Sequence, residues 1–368
     1  MPPDPPPDRP VHTRPPADAG GGLPDRLVRS PLLRADAHAA GITDHELRGP
    51  MWAQPLRGVN RWAAGRADGP ATRIAEVAAV LPAGAAISGW ASLWQHGARD
   101  LDGYGDLRVQ RIGTVPPSRA QADPPMGTRS RDGRTARRDG RGILLAPVLV
   151  CTGPAARMRP RRDIDISRRV LTDDDVIVIG GVPFVKPAPA LLDLMGRQPA
   201  DEALASVDSA LHSETVTLES VQAYLDEHPR LYGAPKIRRV LDLADGRARS
   251  RQESRFRWIW VVEAGLPRPE VNREICDGMG FTLGIPDLLD LDSAVAGEFD
   301  GADHRRPRQH TADNIREELF ERHGLIVVRA TNVDLTTRRT ELVRRILAAQ
   351  QDGLTRDRSR DRWYLRSL

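Results

Sequence analysis

Three carboxylates carry the densest chemical signal in this chain. Asp287 lies in Ile285-Pro286-Asp287-Leu288-Leu289-Asp290-Leu291, and Glu298 and Asp300 lie in Glu298-Phe299-Asp300-Gly301. Side chains two apart on a strand share a face, so Glu298 and Asp300 point the same way. A chain reversal around Asp292-Ser293 then pairs Asp287 opposite Glu298, with Cβ atoms about 4.5 to 5.5 Å apart. Acids that close raise one another's pKa unless a cation lies between them, and Mg²⁺ takes oxygen ligands at about 2.0 to 2.1 Å. The spacing therefore predicts a metal-binding acidic hairpin. The opposing reading is a surface hairpin whose acids face solvent, as Asp290 and Asp292 are expected to. Against it, Leu289 and Leu291 share the Asp287 face, which predicts that this face is half-buried and that its carboxylate has a partner.

The elements that must position these acids are legible on both sides. Upstream, Ser250-x-x-Glu253 opens an amphipathic helix through Phe256, Ile259, Trp260 and Val261 that stops at Gly265-Leu266-Pro267. Glu253 has two roles open to it: the glutamate of a capping box, or a fourth acid beside the metal. Downstream, 311–323 reads as a helix ended by Gly324, followed by the buried strand Leu325-Ile326-Val327-Val328-Arg329. Strand, helix and apolar strand in that order make a right-handed crossover, so the sheet is predicted to be mixed. A last helix over 336–350 turns Leu342, Val343, Ile346 and Leu347 inward.

That order of elements resembles the Vsr-like branch of the PD-(D/E)XK endonuclease superfamily. The likeness covers 250–335 through Glu253-Ser254-Arg255, Gly284-Ile285-Pro286-Asp287-Leu288, Glu298-Phe299-Asp300-Gly301-x-x-His304, Asp313-x-x-Arg316-Glu317 and Gly324 to Arg329. It implies Mg²⁺-dependent hydrolysis of DNA phosphodiesters. Asp287 and Glu298 would hold the ion, Asp300 would complete a second metal site, Glu253 would be the helix-borne acid, and His304 would relay a proton. The superfamily's usual lysine at its third motif position is replaced here by Asp300. Many nucleases of this kind are dimers, which leaves a homodimer open.

Nearer the N-terminus, 32–40 reads as a short helix, Gly41 as its break, and Thr43-x-x-Glu46 as a capping box opening a second helix that Pro50 ends. Ala37, Gly41 and Leu47 have the spacing of a helix-turn-helix. Trp52 to Trp62 follows as a β-wing carrying Arg57 and Arg61 between two tryptophans. As a DNA-binding module it would use Thr43, His45, Arg48, Arg57 and Arg61; the other reading is a small helical cap on the next domain. The module and the stretch Ser88-Gly89-Trp90 to Gly97 resemble the front half of AbiEi-type antitoxins. That likeness implies DNA binding, autorepression and a toxin partner.

Composition sets the outer bounds. A chain of 368 residues holds several cores. Its net charge is +4, and its only lysines are Lys186 and Lys236. An arginine surplus suits phosphate, though a GC-rich genome has the same effect on composition. No apolar run reaches the roughly 18 residues of a membrane span, and no signal peptide opens the chain, so a cytoplasmic location is expected. Cys151 and Cys276, far apart in sequence, exclude a disulfide framework within the chain. The 111–142 stretch holds eight arginines against three aspartates and reads as a basic loop, in contact with phosphate or simply solvated. The expected class is α/β: a disordered tail (1–29), a winged-helix-like module (30–66), a middle α/β region (67–247), an endonuclease-like mixed sheet flanked by helices (248–350) and a C-terminal tail (351–368).

Overall fold

The computed structural model describes residues 31–62, 69–104, 137–138, 144–154, 156–301, 318–359 and 361–367. Two compact units divide the chain, Met1–Ala83 and Gly84–Leu368.

In the first unit, β1 (Leu32–Leu33) precedes α1 (Arg34–Ala39) and α2 (Asp44–Leu47), and a hairpin of β2 (Trp52–Leu56) and β3 (Val59–Trp62) is followed by α3 (Pro70–Ala78). The sheet is antiparallel with β3 central, in the order β1-β3-β2. The predicted helix thus starts two residues late. Leu32 and Leu33 are drawn into the sheet opposite Asn60 and Val59, and Arg34 N–H closes on Gly58 O at 2.9 Å. Gly41 has φ +84, the left-handed turn predicted between the helices, and Ala37, Ile42 and Leu47 form the small core. Trp52 and Trp62 stand directly opposite one another, edge to face at 5.3 Å.

The second unit begins with β4 (Ala86–Ser88) and α4 (Gly89–Gln95). The short strands β5 (Arg137–Arg138) and β6 (Leu144–Leu145) pair with each other, and β7 (Val148–Cys151), β8 (Ile164–Ser167), β9 (Val176–Ile179) and β10 (Val182–Val185) follow. A five-stranded mixed sheet results, ordered β8-β7-β4-β10-β9. Trp90 is buried, with its indole N–H on Pro147 O at 2.8 Å and its ring so close to Gly103 that a Cβ there would clash. Four helices come next: α5 (Pro187–Arg197), α6 (Ala200–His212), α7 (Leu218–Glu227) and α8 (Ala234–Leu241).

The rest of this unit runs α9 (Arg251–Trp258), a π-helical turn (Ile259–Glu263), β11 (Glu270–Val271), β12 (Ile275–Asp277), β13 (Thr282–Gly284), β14 (Leu288–Asp290), β15 (Val295–Asp300), β16 (Ile326–Thr331), α10 (Asn332–Thr336), α11 (Arg339–Thr355) and β17 (Trp363–Leu365). Its main sheet is ordered β11-β14-β15-β16, antiparallel between β14 and β15 and parallel between β15 and β16. This is the predicted mixed sheet. One face packs Leu288, Val295, Val328 and Ala330 against Phe256, Trp260, Leu342 and Ile346; the other packs Leu289 and Ala296 against Ile275, Phe320 and Leu325. Two expectations are corrected. The 351–368 stretch is no tail, because α11 runs to Thr355 and β17 pairs antiparallel with β12. Leu347 stays exposed at the edge of the α11 stripe. Gly353 permits that helix to approach the β14–β15 turn, since a Cβ there would lie 2.0 Å from Ser293 O.

Ion pairs hold α6 to α9 and α11. Arg257 donates to Asp208 Oδ2 at 2.5 Å with both groups buried. Glu202 pairs with Arg251 and Arg255, and Arg339 with Asp201 and Glu263. Burial pushes Asp208 up to about 6 against the pull of Arg257, and the same desolvation pushes the Arg257 guanidinium down. Arg257→Ala, which leaves Asp208 buried without its cation, should lower unfolding free energy by about 3 to 5 kcal/mol in urea titrations. From 3.8 to about 6 the folded chain retains a proton on Asp208 that the unfolded chain has released. This group's contribution to stability should therefore fall as pH rises through that window. Denaturation midpoints measured across it should show this fall in wild type and lose it in Asp208→Asn, which has no proton to release.

Candidate nucleic-acid interface and acidic strand pair

The helix pair of the first unit is set by its caps. Thr43 N–H and Oγ1–H both donate to Glu46 Oε2, at 2.7 and 2.8 Å, and Glu46 N–H returns to Thr43 Oγ1 at 3.3 Å. This is the predicted capping box. Asp44 accepts from Arg34 Nε at 2.9 Å and lies 2.6 Å from His38 Nε2, so α2 is clamped to α1 by charge. The Arg34 and His38 hydrogen bonds hold Asp44 down at about 2. No sequence signal announces this clamp; an aspartate six residues after a histidine carries no recognisable spacing.

Thr43, His45, Arg48 and Arg57 are exposed or half-buried, the last at the hairpin turn. Arg61 is buried. It lies on the central strand, with Nε on Glu76 Oε1 of α3 at 2.8 Å. A position in β3 is flanked on both sides by strands, and here the side chain serves to bind α3 to the sheet rather than to reach phosphate.

The acidic strand pair has the predicted register. Leu288 pairs with Gly297, so one step further places Asp287 opposite Glu298, and the reversal falls at 291–294. By strand parity Asp287, Glu298 and Asp300 belong to the Leu289–Ala296 face. Asp287 and Glu298 are half-buried and Asp300 is exposed. Asp287 Oδ2 accepts the Phe299 N–H at 2.7 Å, which ties the acid to the backbone of the strand it faces. Among the described residues, no group of three or more His, Cys, Asp or Glu is placed to hold a metal ion. Taken alone, the described donors therefore do not form a metal site. His304, with Asp313, Arg316 and Glu317, lies outside the described residues.

Glu253 takes a third course between its two expected roles. Ser250 Oγ accepts Glu253 N–H at 3.1 Å, the first half of a capping box. Its carboxylate passes the cap and accepts instead from Arg249 N–H at 2.9 Å and Asn272 Nδ2 at 2.7 Å. Asp290 is also corrected: it is buried, accepting Ser293 Oγ–H at 2.6 Å and Asp292 N–H at 3.1 Å, because it closes the turn that the hairpin needs. Of the two leucines expected to cover the acids, Leu289 is buried and Leu291 is exposed in that turn.

A second polar centre, missed in the sequence, runs through the five-stranded sheet. Asp193 of α5 accepts from Ser88 Oγ at 2.7 Å and Arg169 Nη2 at 3.0 Å. Arg169 Nη1 donates to Tyr224 OH at 2.8 Å, and Tyr224 donates on to Asp175 Oδ1 at 2.5 Å. Burial, then the nearby Asp193 charge, pushes the Cys151 thiol up to about 12, which leaves it inert. The available signal was Asp193 alone among apolar residues in Leu191-Leu192-Asp193-Leu194-Met195. A hollow of about 330 Å³ lies at the start of α5 beside Lys186, Thr215 and Ser220. Pro187 and Pro189 remove two of the amides that such a helix end would offer an anion.

Comparison with known proteins places this geometry. The family model of the AbiEi antitoxin C-terminal domain matches residues 90–243, from α4 to just past α8. Two curated proteins of Mycobacterium tuberculosis, from strains CDC 1551 and H37Rv and both described as uncharacterized, are each 27% identical over 176 residues, 48% of this chain. The chain covers 64% of the length of these relatives. No solved structure matches. These findings lend no support to the endonuclease likeness expected over 250–335.

The placement of the two wing arginines separates their roles. Arg61→Ala should leave Glu76 buried beside an empty position and destabilise the first unit by about 3 to 5 kcal/mol. Arg57→Ala should leave its thermal melt within about 0.5 kcal/mol of wild type. Differential scanning calorimetry of the full chain reads both.

Proposed function

We propose that this chain is a DNA-binding antitoxin of the AbiEi kind that represses its own transcription, acting in the cytoplasm with a toxin as its counterpart. The match over 90–243 carries this reading. It is supported by the helix pair and hairpin of the first unit, where Thr43, His45, Arg48 and Arg57 lie within reach of solvent. With four residues, α2 is too short to line a major groove, so phosphate contacts from Arg48 and from Arg57 at the hairpin turn supply most of the affinity. The capping box and the Asp44 clamp keep the two helices in one arrangement before DNA arrives, which lowers the ordering penalty on binding. The C-terminal mixed sheet then acts as a scaffold without catalysis.

A second reading, Mg²⁺-dependent DNA cleavage, is favoured by one observation: the register that sets Asp287 opposite Glu298 with Asp300 on the same face. The two readings separate in one set of measurements. Fluorescence anisotropy on DNA from upstream of the chain's own gene should show binding that persists in chelator, weakens steeply with salt and leaves plasmid DNA unnicked. Arg48→Ala and Arg57→Ala should each lower the salt slope by about one. Plasmid nicking that requires Mg²⁺ and disappears in Asp287→Ala and Glu298→Ala would replace the repressor reading with the nuclease one.

A further inference from the structure

The strand β9, Val176-Ile177-Val178-Ile179, is the outermost strand of the five-stranded sheet, and among the described residues no strand lies beyond it. Edge strands are ordinarily protected by a charge, a proline or a bulge within them. This one has none: all four residues are β-branched and apolar, its pairing with β10 is unbroken, and Ile177 and Val178 are 42% and 65% exposed.

The ladder decides which groups the edge offers. Asp175 O accepts Lys186 N–H at 2.7 Å, so odd-numbered positions face β10, and Ile177 and Ile179 continue that series opposite Phe184 and Val182. Opposite Val178 stands Pro183, which has no N–H to give. Val176 and Val178 therefore turn their N–H and C=O groups outward, two donors and two acceptors in a row.

We propose that β9 joins two copies of this chain as antiparallel strands across a twofold axis, with Ile177 opposite its own counterpart. This register pairs Val176 of each copy with Val178 of the other and so satisfies all the outward groups. It also resolves the charge problem of an acidic strand entry. The exposed Asp173 and Asp174 fall opposite Gly181 and Gly180 of the other copy, where no side chain competes. The two Asp174 carboxylates end about 20 Å apart, roughly twice the screening length in physiological salt. Sliding the pair so that Val176 faces Val176 would set Asp174 over Val178, and sliding the other way would withdraw Val176 onto the glycine turn. The apolar strand, its acidic entry and its glycine exit are thus complementary to themselves, and the result is one continuous sheet of two five-stranded halves.

Sedimentation velocity of the full chain, from low to high micromolar concentration, tests this. Wild type should dimerise over that range. Val178→Pro removes an outward N–H that the fold does not use, and should weaken dimerisation at least about tenfold with circular dichroism and thermal midpoint unchanged. Because Ile177 faces itself at a separation that a disulfide spans, Ile177→Cys should crosslink two chains on oxidation, whereas Val176→Cys should not. The native Cys151 and Cys276 are buried and do not interfere. A wild type that stays monomeric throughout, or a dimer that survives Val178→Pro and shows no Ile177→Cys crosslink, would overturn the proposal. So would a monomer whose β9 is taken up by a strand of a different protein.

Discussion

Buried opposite charge, more than any apolar contact, decides how the larger unit is put together. One helix, α6, contributes Asp201, Glu202 and Asp208, and each finds its arginine on an element that comes after residue 247: Arg339, Arg251 with Arg255, and Arg257. Taking such groups out of water costs several kcal/mol per ion, so pairs of this kind add little net stability over a well-packed apolar interface. What they supply is exclusivity. A helix with buried acids along one side tolerates only a partner that brings guanidinium groups in register with them. Asp208 records the tension directly, held up at about 6 by burial even with Arg257 against it.

The same ion pairs tie the family match to the chain beyond it. The match ends at residue 243, yet Glu202 and Asp208, inside it, are neutralised from outside it by α9. Cut there, the matched region would expose two acids to an apolar surface with no counter-charge. The AbiEi-like part and the C-terminal sheet are therefore parts of one cooperative body, and the sheet's role as a scaffold is literal: it carries the cations that the antitoxin-like helices require. Phe256 on α9 and Trp260 in the turn after it fasten the sheet to the same helix, packing on Leu288 and Val295.

Local signals were legible in the sequence wherever the interaction spans a few residues. The Thr43–Glu46 box, the left-handed Gly41, the Trp52–Trp62 hairpin and the β14–β15 reversal all rest on spacings of ten residues or so, and periodicity located α5 to α8 and the parallel β15–β16 pair. Long-range charge was illegible. Arg61 reads as a wing arginine because nothing in its neighbourhood names Glu76, and Arg255 and Arg257 read as the polar side of an amphipathic helix although both are buried. Asp290 failed for a related reason, since alternation along a strand assumes that a polar residue faces water, while this one serves the turn. β17 was missed because three residues near the end of a polar segment carry too little pattern to announce a strand.

The acids that looked most like a catalytic centre show how a shared face differs from a shared ligand. Strand parity and register do bring Asp287 and Glu298 into opposition, as their spacing demands. But one oxygen of Asp287 is already directed at the Phe299 amide, a bond that stabilises its charge without any cation. Glu253, the helix-borne acid of the endonuclease pattern, likewise has Arg249 and Asn272 as donors, and both bonds stabilise the loop that leads into α9. These two carboxylates thus have local structural partners of their own. In a repressor this arrangement has a simple physical sense: backbone amides and an asparagine hold the charge in place at all times, and the sheet keeps its shape independently of metal supply.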